Sequence, residues 1–66
     1  MYKIINRFTY EIASGENVTL CYIIADSAND LPTADEITRD KIAFGSSVYC
    51  IAEAETYTLD SSGAWV

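Results

Sequence analysis

Histidine is absent from this 66-residue sequence, which contains only four basic residues against ten acidic ones. Without histidine, general acid–base catalysis at neutral pH lacks its usual side chain, and nucleophilic sites of the Ser-His-Asp or Cys-His type are excluded. Zinc sites take Cys or His ligands in threes or fours, so two separated cysteines do not form one. We therefore expect no catalytic residues, no bound metal and no cofactor, and a chain that is not an enzyme.

Long apolar runs and basic clusters are also missing. No stretch approaches the ~20 consecutive apolar residues that a bilayer crossing requires, and the first residues lack the basic head and apolar stretch of a signal peptide. The formal net charge of -6 disfavours binding to the phosphates of a nucleic acid. We expect a protein that is made in the cytoplasm of the producing cell and binds neither membranes nor nucleic acids.

The two cysteines, Cys21 and Cys50, lie in apolar segments with strand-like composition. Proteins made in the cytosol keep their thiols reduced, and a buried free thiol behaves as a small hydrophobic group. We expect both to be reduced. A disulfide between them requires that their two strands be neighbours.

The chain is short for its hydrophobic content, which is 50% of its residues. A domain of this length buries only about 60% of the surface of its unfolded chain. Small scaffolds usually compensate with disulfides, a metal or partner subunits. Because the first two are disfavoured here, the composition predicts apolar surface that a neighbouring subunit covers.

The first 25 residues predict an N-terminal hairpin. Tyr2–Ile12 is rich in β-branched and aromatic residues, with a bend or bulge expected near Asn6-Arg7. Ser14–Asn17 is a turn cluster. Val18–Ala25 is apolar on both faces, which is typical of a central strand that is covered on both sides, or on one side by another subunit.

Residues 26–44 form the predicted connection. Asp26–Asp30 is a polar loop whose spacing does not match that of a calcium-binding loop, so we interpret it as a solvated turn. Thr33 and Glu36 match a capping box and predict a short helix over Ala34–Asp40. Asp35 and Arg39, four residues apart, would support this helix. Because its apolar periodicity is poor, a loop is the alternative.

Residues 45–66 predict a C-terminal meander. After a turn at Gly45-Ser46, we expect a strand over Val48–Glu53 and a partner strand over Thr56–Asp60, joined by a two-residue turn at Ala54-Glu55. A last short strand is expected over Ala64–Val66. The predicted fold class is therefore mainly β, a small single domain of two antiparallel hairpin or meander units with one short helical turn in the connection.

Aromatic residues are numerous, with five tyrosines and one tryptophan. Such side chains are enriched at protein interfaces because a large apolar ring carries a polar atom. The alternative is that they fill the core of a small β protein. The candidate interface residues are Tyr22, Tyr49, Tyr57 and Trp65.

Five segments occur in an order that resembles a known pattern: Leu31–Thr33, Ile42–Ser46, Val48–Ile51, Tyr57–Asp60 and Gly63–Trp65. Together they resemble short virion structural proteins and fibre segments of tailed bacteriophages, which carry LPT…GS…YxLD…GxW near their C-terminus. The resemblance covers a little over half of the chain.

This resemblance implies a structural component of a bacteriophage particle, such as a head decoration, head-fibre or tail-associated protein. It would be located in the virion and would associate with itself as a homo-oligomer, with capsid or tail proteins, or with both. The resemblance implies no catalytic residues. The alternative is a small acidic interaction or inhibitor protein that mimics DNA, but the acidic residues are scattered and lie mostly in turns.

Overall fold

The computed structural model describes residues 1–11 and 13–66. It contains four strands, one short 3-10 helix and one α-helix. Their bounds are β1 Tyr2–Glu11, β2 Asn17–Ala25, the 3-10 helix Ala28–Asp30, α1 Ala34–Asp40, β3 Ser47–Cys50 and β4 Glu55–Thr58. The prediction of a mainly β, small single domain is confirmed; the predicted strand end at Ile12 lies outside the described residues.

All four strands belong to one sheet, in the order β1-β2-β3-β4. The β1–β2 hairpin is antiparallel, as predicted, and its register shifts between Ile4 and Asn6, so the expected bulge begins one residue earlier than Asn6-Arg7. The two predicted units join through a parallel pairing of β2 with β3, and β3 pairs antiparallel with β4. The connection is thus a crossover that carries α1 over one face of the sheet.

Helix α1 confirms the capping box. The Thr33 hydroxyl accepts from the backbone N–H of Glu36, and the Glu36 carboxylate accepts from the backbone N–H of Thr33. The helix ends at Asp40, and its C-cap residue Lys41 adopts a left-handed conformation with φ of 55°. The predicted partner of Arg39 was wrong: its guanidinium lies 3.0 Å from Asp40 and 3.9 Å from Glu36, and no ion pair with Asp35 occurs within residues 1–11 and 13–66.

The predicted meander is correct in outline and wrong in its turn. Strand β3 ends at Cys50, and residues Ile51–Ala54 form a four-residue turn in place of the expected turn at Ala54-Glu55. The reason is that Ile51 and Ala52 donate their backbone N–H groups to the carbonyls of Ala25 and Asp26, at 3.0 and 2.9 Å. These bonds extend the contact of the chain with the β2 side beyond the end of β3.

The expected last strand is reduced to one bridge between Leu59 and Trp65. Reciprocal backbone bonds of 2.9 Å between Thr58 and Val66 flank this bridge. The C-terminal residues therefore cover the end of the β4 edge.

The core lies between the sheet and the crossover connection. Its buried hydrophobic residues are Cys21, Ile23, Ala25, Ile42, Val48, Cys50 and Leu59. Ser46 is also fully buried, and its hydroxyl accepts the backbone N–H of Cys21 at 2.9 Å. This bond satisfies a buried donor at the point where the parallel pairing begins.

Both cysteines are free thiols in the core, as expected. Although β2 and β3 are neighbours, Cys50 is paired with Ala25, four residues beyond Cys21. At about 3.3 Å per strand residue, this register separates the two cysteines by about 13 Å. Because a disulfide needs Cα atoms within about 7 Å, the fold does not bring them into bonding range.

Candidate interaction surface

The sheet has one covered and one uncovered face. Residues Cys21, Ile23 and Ala25 of β2 point into the core, so the alternating residues between them point away from α1. We call the face opposite α1 the open face. Along the strand register it carries Phe8, Leu20, Tyr22, Ile24 and Tyr49 as its large apolar residues.

Tyr22 and Tyr49, two of the predicted interface residues, both lie on the open face and are each 43% exposed. Tyr49 is paired with Ile24, two residues along β2 from Tyr22. The structure thus brings these two tyrosines into adjacent rows of the sheet, as the interface hypothesis requires.

Tyr57 and Trp65 lie elsewhere. Tyr57 is paired with the buried Val48, so it belongs to the covered face, where it packs against the core. Trp65 also packs against the core, and its indole N–H donates to the carbonyl of Pro32 at 2.9 Å. For Trp65 the structure therefore shows packing within the chain, the alternative given above for the aromatic residues. These two residues do not join the surface formed by Tyr22 and Tyr49.

Phe8 adds a further aromatic ring to the open face, although sequence reasoning did not include it. Its ring meets that of Tyr22 edge to face, with centroids 5.4 Å apart. It is 48% exposed. Phe8 is paired with Leu20, and this register is set by the bulge at Ile5. Without the bulge, the alternation of β1 would place Phe8 on the other face.

Charge is distributed unequally between the two faces. Among the described strand residues, no Asp or Glu occupies a position of the open face, where Lys3 is the charged residue. Glu11 and Glu55 have the parity of the covered face. The remaining carboxylates belong to turns, to the crossover connection or to α1. A chain with a net charge of -6 therefore presents an open face without carboxylates.

A polar network lies on the opposite side, where the start of β1 meets α1. The Tyr2 hydroxyl donates to the Asp40 carboxylate at 3.0 Å and accepts from the Arg39 guanidinium at 3.1 Å. Arg7 donates to the Asp40 carbonyl at 2.9 Å. Next to this network is an open groove of about 460 Å³. Three of the network's hydrogen bonds hold β1 against α1, and two more join Arg39 to Asp40 within α1, so the network has a structural role.

Hydrogen bonds lower the pKa values of three carboxyl groups, one of them in this network. The hydrogen bond from Arg39, followed by that from Tyr2, lowers the pKa of Asp40. The backbone N–H of Thr33 lowers the pKa of Glu36. At the other end of the chain, the Ser62 hydroxyl and the backbone N–H of Ala64 lower the pKa of Asp60. These carboxylates are stabilised as anions by the folded chain.

Acid is therefore expected to destabilise the fold. A carboxyl group whose pKa is lower in the folded state stabilises it above the ordinary pKa, and this contribution is lost as the pH falls through the folded value. We expect the free energy of unfolding, measured by urea titration, to be steady near pH 6 and to fall below the ordinary Asp pKa of 3.8.

Asp40→Asn should flatten this pH dependence. Asp35→Asn removes the same charge from the same helix, and Asp35 makes no described hydrogen bond or ion pair, so it is the matched control. Equal pH profiles for the two variants would contradict the assignment to the Asp40 network.

Within residues 1–11 and 13–66, no three acidic or cysteine side chains are grouped so that they could hold a metal ion. None of the helices described is both long and apolar enough to pass through a membrane. In comparisons with known proteins, no protein-family model matches the chain, and neither a curated protein nor a solved structure matches it significantly.

Proposed function

We propose that this protein is a structural, non-enzymatic component of a bacteriophage particle, and that it acts by binding other protein subunits through the open face. The open face is the observation that supports this most directly. Phe8, Tyr22 and Tyr49 leave 43–48% of their side chains exposed on a sheet face that lacks carboxylates. Aromatic side chains and a scarcity of charge are the features that distinguish the centres of protein interfaces.

The sheet topology gives a second reason. Parallel strand pairs occur mostly where both faces of the sheet are covered, whereas antiparallel pairs tolerate one face in water. Strands β2 and β3 are parallel, and the crossover connection covers only one of their faces. A bound subunit would cover the other.

The virion as the location follows from the resemblance of Asp30–Trp65 to short phage structural proteins. In the fold these motifs build the helix entry, β3, β4 and the C-terminal bridge. These segments thus form part of the sheet that carries the open face. No specific observation favours the alternative of a DNA mimic, because the carboxylates outside the strands are divided among separate turns, the connection and α1, and Arg39 pairs with two of those in α1.

Quantitative mass spectrometry of gradient-purified particles, from the phage that encodes this chain, tests the proposal. We expect the chain to co-sediment at a fixed copy number per particle. Tyr49→Glu, which places a charge on the open face, should reduce this number at least tenfold. Ala34→Glu places the same charge on the exposed start of α1 and should not reduce it. Absence of the wild-type chain from the particles, despite its presence in the lysate, would overturn the proposal.

A further inference from the structure

We infer that the partner bound by the open face is a second copy of this chain, packed sheet against sheet about a two-fold axis. This inference rests on the proposed function and names its partner.

The chemistry of the open face suits contact with itself. A two-fold interface brings the same patch of both subunits together, so the patch must be complementary to itself. Uncharged aromatic and aliphatic groups meet this condition, whereas a patch of one charge repels its copy. Although each copy carries a net charge of -6, the carboxylates of the strands do not lie on the open face. A basic partner is disfavoured, since it would meet no strand carboxylate on the open face.

The sheet edges are less suited to self-association than the open face. β1 has a free edge, but the bulge at Ile5 interrupts it, and Lys3 and Arg7 flank the bulge. Bulges and basic residues are two of the features by which proteins prevent pairing of edge strands. At the other edge, Ala64–Val66 covers the end of β4. Association through a face is therefore favoured over extension of the sheet.

The available area predicts a weak dimer. An aromatic side chain has about 200 Å² of surface, so the exposed fractions of the three rings correspond to roughly 270 Å² per copy. The four strands contain 10, 9, 4 and 4 residues, so at about 4.8 by 3.3 Å per residue the sheet face covers roughly 430 Å². Standard interfaces bury about 800 Å² per partner, so this contact belongs to the small, transient class. Interfaces of standard size have dissociation constants from about 1 μM downwards, so we expect a value above about 1 μM for this smaller contact. Such a contact is relevant where many copies are held close together.

Sedimentation equilibrium of the purified chain from about 5 μM to about 1 mM tests the inference. The apparent mass should rise from 7.3 kDa towards twice this value. Higher salt should strengthen the dimer, because it screens the repulsion between two acidic copies. A mass that stays at 7.3 kDa up to about 1 mM, or a dimer that salt dissociates, would overturn it.

Variants locate the contact. Tyr22→Glu and Tyr49→Glu should each raise the dissociation constant at least tenfold, whereas Tyr49→Phe and the control Ala34→Glu should change it less than threefold. Equal weakening by Ala34→Glu would overturn the assignment to the open face. Circular dichroism establishes whether each variant is folded.

The contact can also be tested on the wild-type chain, without substitutions. In a mixture of isotope-labelled and unlabelled copies, filtered NOE spectra should show intermolecular contacts of the Phe8, Tyr22 and Tyr49 rings. Intermolecular contacts confined to Trp65 or α1 would contradict the inference. A monomeric chain that is nevertheless found in particles would refute the self-contact and leave the proposed function standing. A chain that dimerises but is absent from particles would refute the proposed function and leave the self-contact standing.

Discussion

Gly45→Val is expected to destabilise the fold by about 3–5 kcal/mol, because it combines backbone strain with overpacking. Gly45 has φ of +95°, a conformation that a β-branched residue rarely adopts. A Cβ atom at this position would also lie 3.1 Å from the Cδ2 of Leu20 on the open face. For a domain whose total stability is roughly 3–10 kcal/mol, this loss would unfold much of the population at 25 °C.

Gly63→Val is the matched control for this prediction. Gly63 has φ of +89°, and a Cβ atom built there has no neighbour within 4 Å. Gly63→Val therefore introduces backbone strain without overpacking, and we expect its free energy of unfolding to fall by about 1–3 kcal/mol. Urea unfolding followed by circular dichroism measures both. Equal losses would mean that the contact with Leu20 contributes nothing. Adding Leu20→Ala to Gly45→Val should reduce the additional cost.

Trp65→Ala is the second large effect, with an expected loss of about 2–4 kcal/mol. The half-buried indole packs against the core and bridges the C-terminal segment to the crossover connection. Its removal exposes core residues and frees the segment that covers the end of β4. Circular dichroism must follow the unfolding, because this substitution removes the tryptophan fluorescence.

Two related variants separate the parts of this effect. Trp65→Phe keeps an aromatic ring but loses the hydrogen bond to the Pro32 carbonyl, at an expected cost of about 1–2 kcal/mol. Val66→Ala changes the neighbouring residue, which is 68% exposed, and should cost less than about 0.5 kcal/mol. A Trp65→Ala variant as stable as Val66→Ala would show that the indole does not anchor the C-terminal segment.

Local signals in the sequence are sufficient to predict the elements whose hydrogen bonds join residues close in sequence. The hairpin of β1 and β2 follows from two β-rich segments around the Ser14–Asn17 turn. Helix α1 follows from Thr33 and Glu36, which bond to each other across three residues. In both cases the partners lie close in sequence, so residue type and spacing carry the information.

The parallel pairing of β2 with β3 has no such local signal. Tyr22 pairs with Ser47, 25 residues away, and the apolar composition of both strands is compatible with several partners. The same pairing explains why the turn between β3 and β4 differs from the predicted one, because the backbone N–H groups of Ile51 and Ala52 bond to the end of β2 and the residue after it. For this reason, the expected two-residue turn could not have been corrected from the local sequence.

The candidate surface was only partly accessible to sequence reasoning for a related reason. Aromatic composition selected Tyr22 and Tyr49, which do share a face, together with Tyr57 and Trp65, which do not. The assignment of a residue to a face depends on strand register. Phe8 joins the open face because of a one-residue bulge, and its sequence neighbours do not reveal which residue is the extra one.

The reactivity of the two buried thiols can be used to measure how often the folded chain opens. Cys21 on β2 and Cys50 on β3 are fully inaccessible, and burial raises the pKa of both thiols, which further reduces the reactive thiolate. A water-soluble thiol reagent therefore reacts only with molecules that have transiently opened, at a rate set by the population of the open form. Comparing the labelling rates of single-cysteine variants would show whether the two central strands separate in one event or in succession.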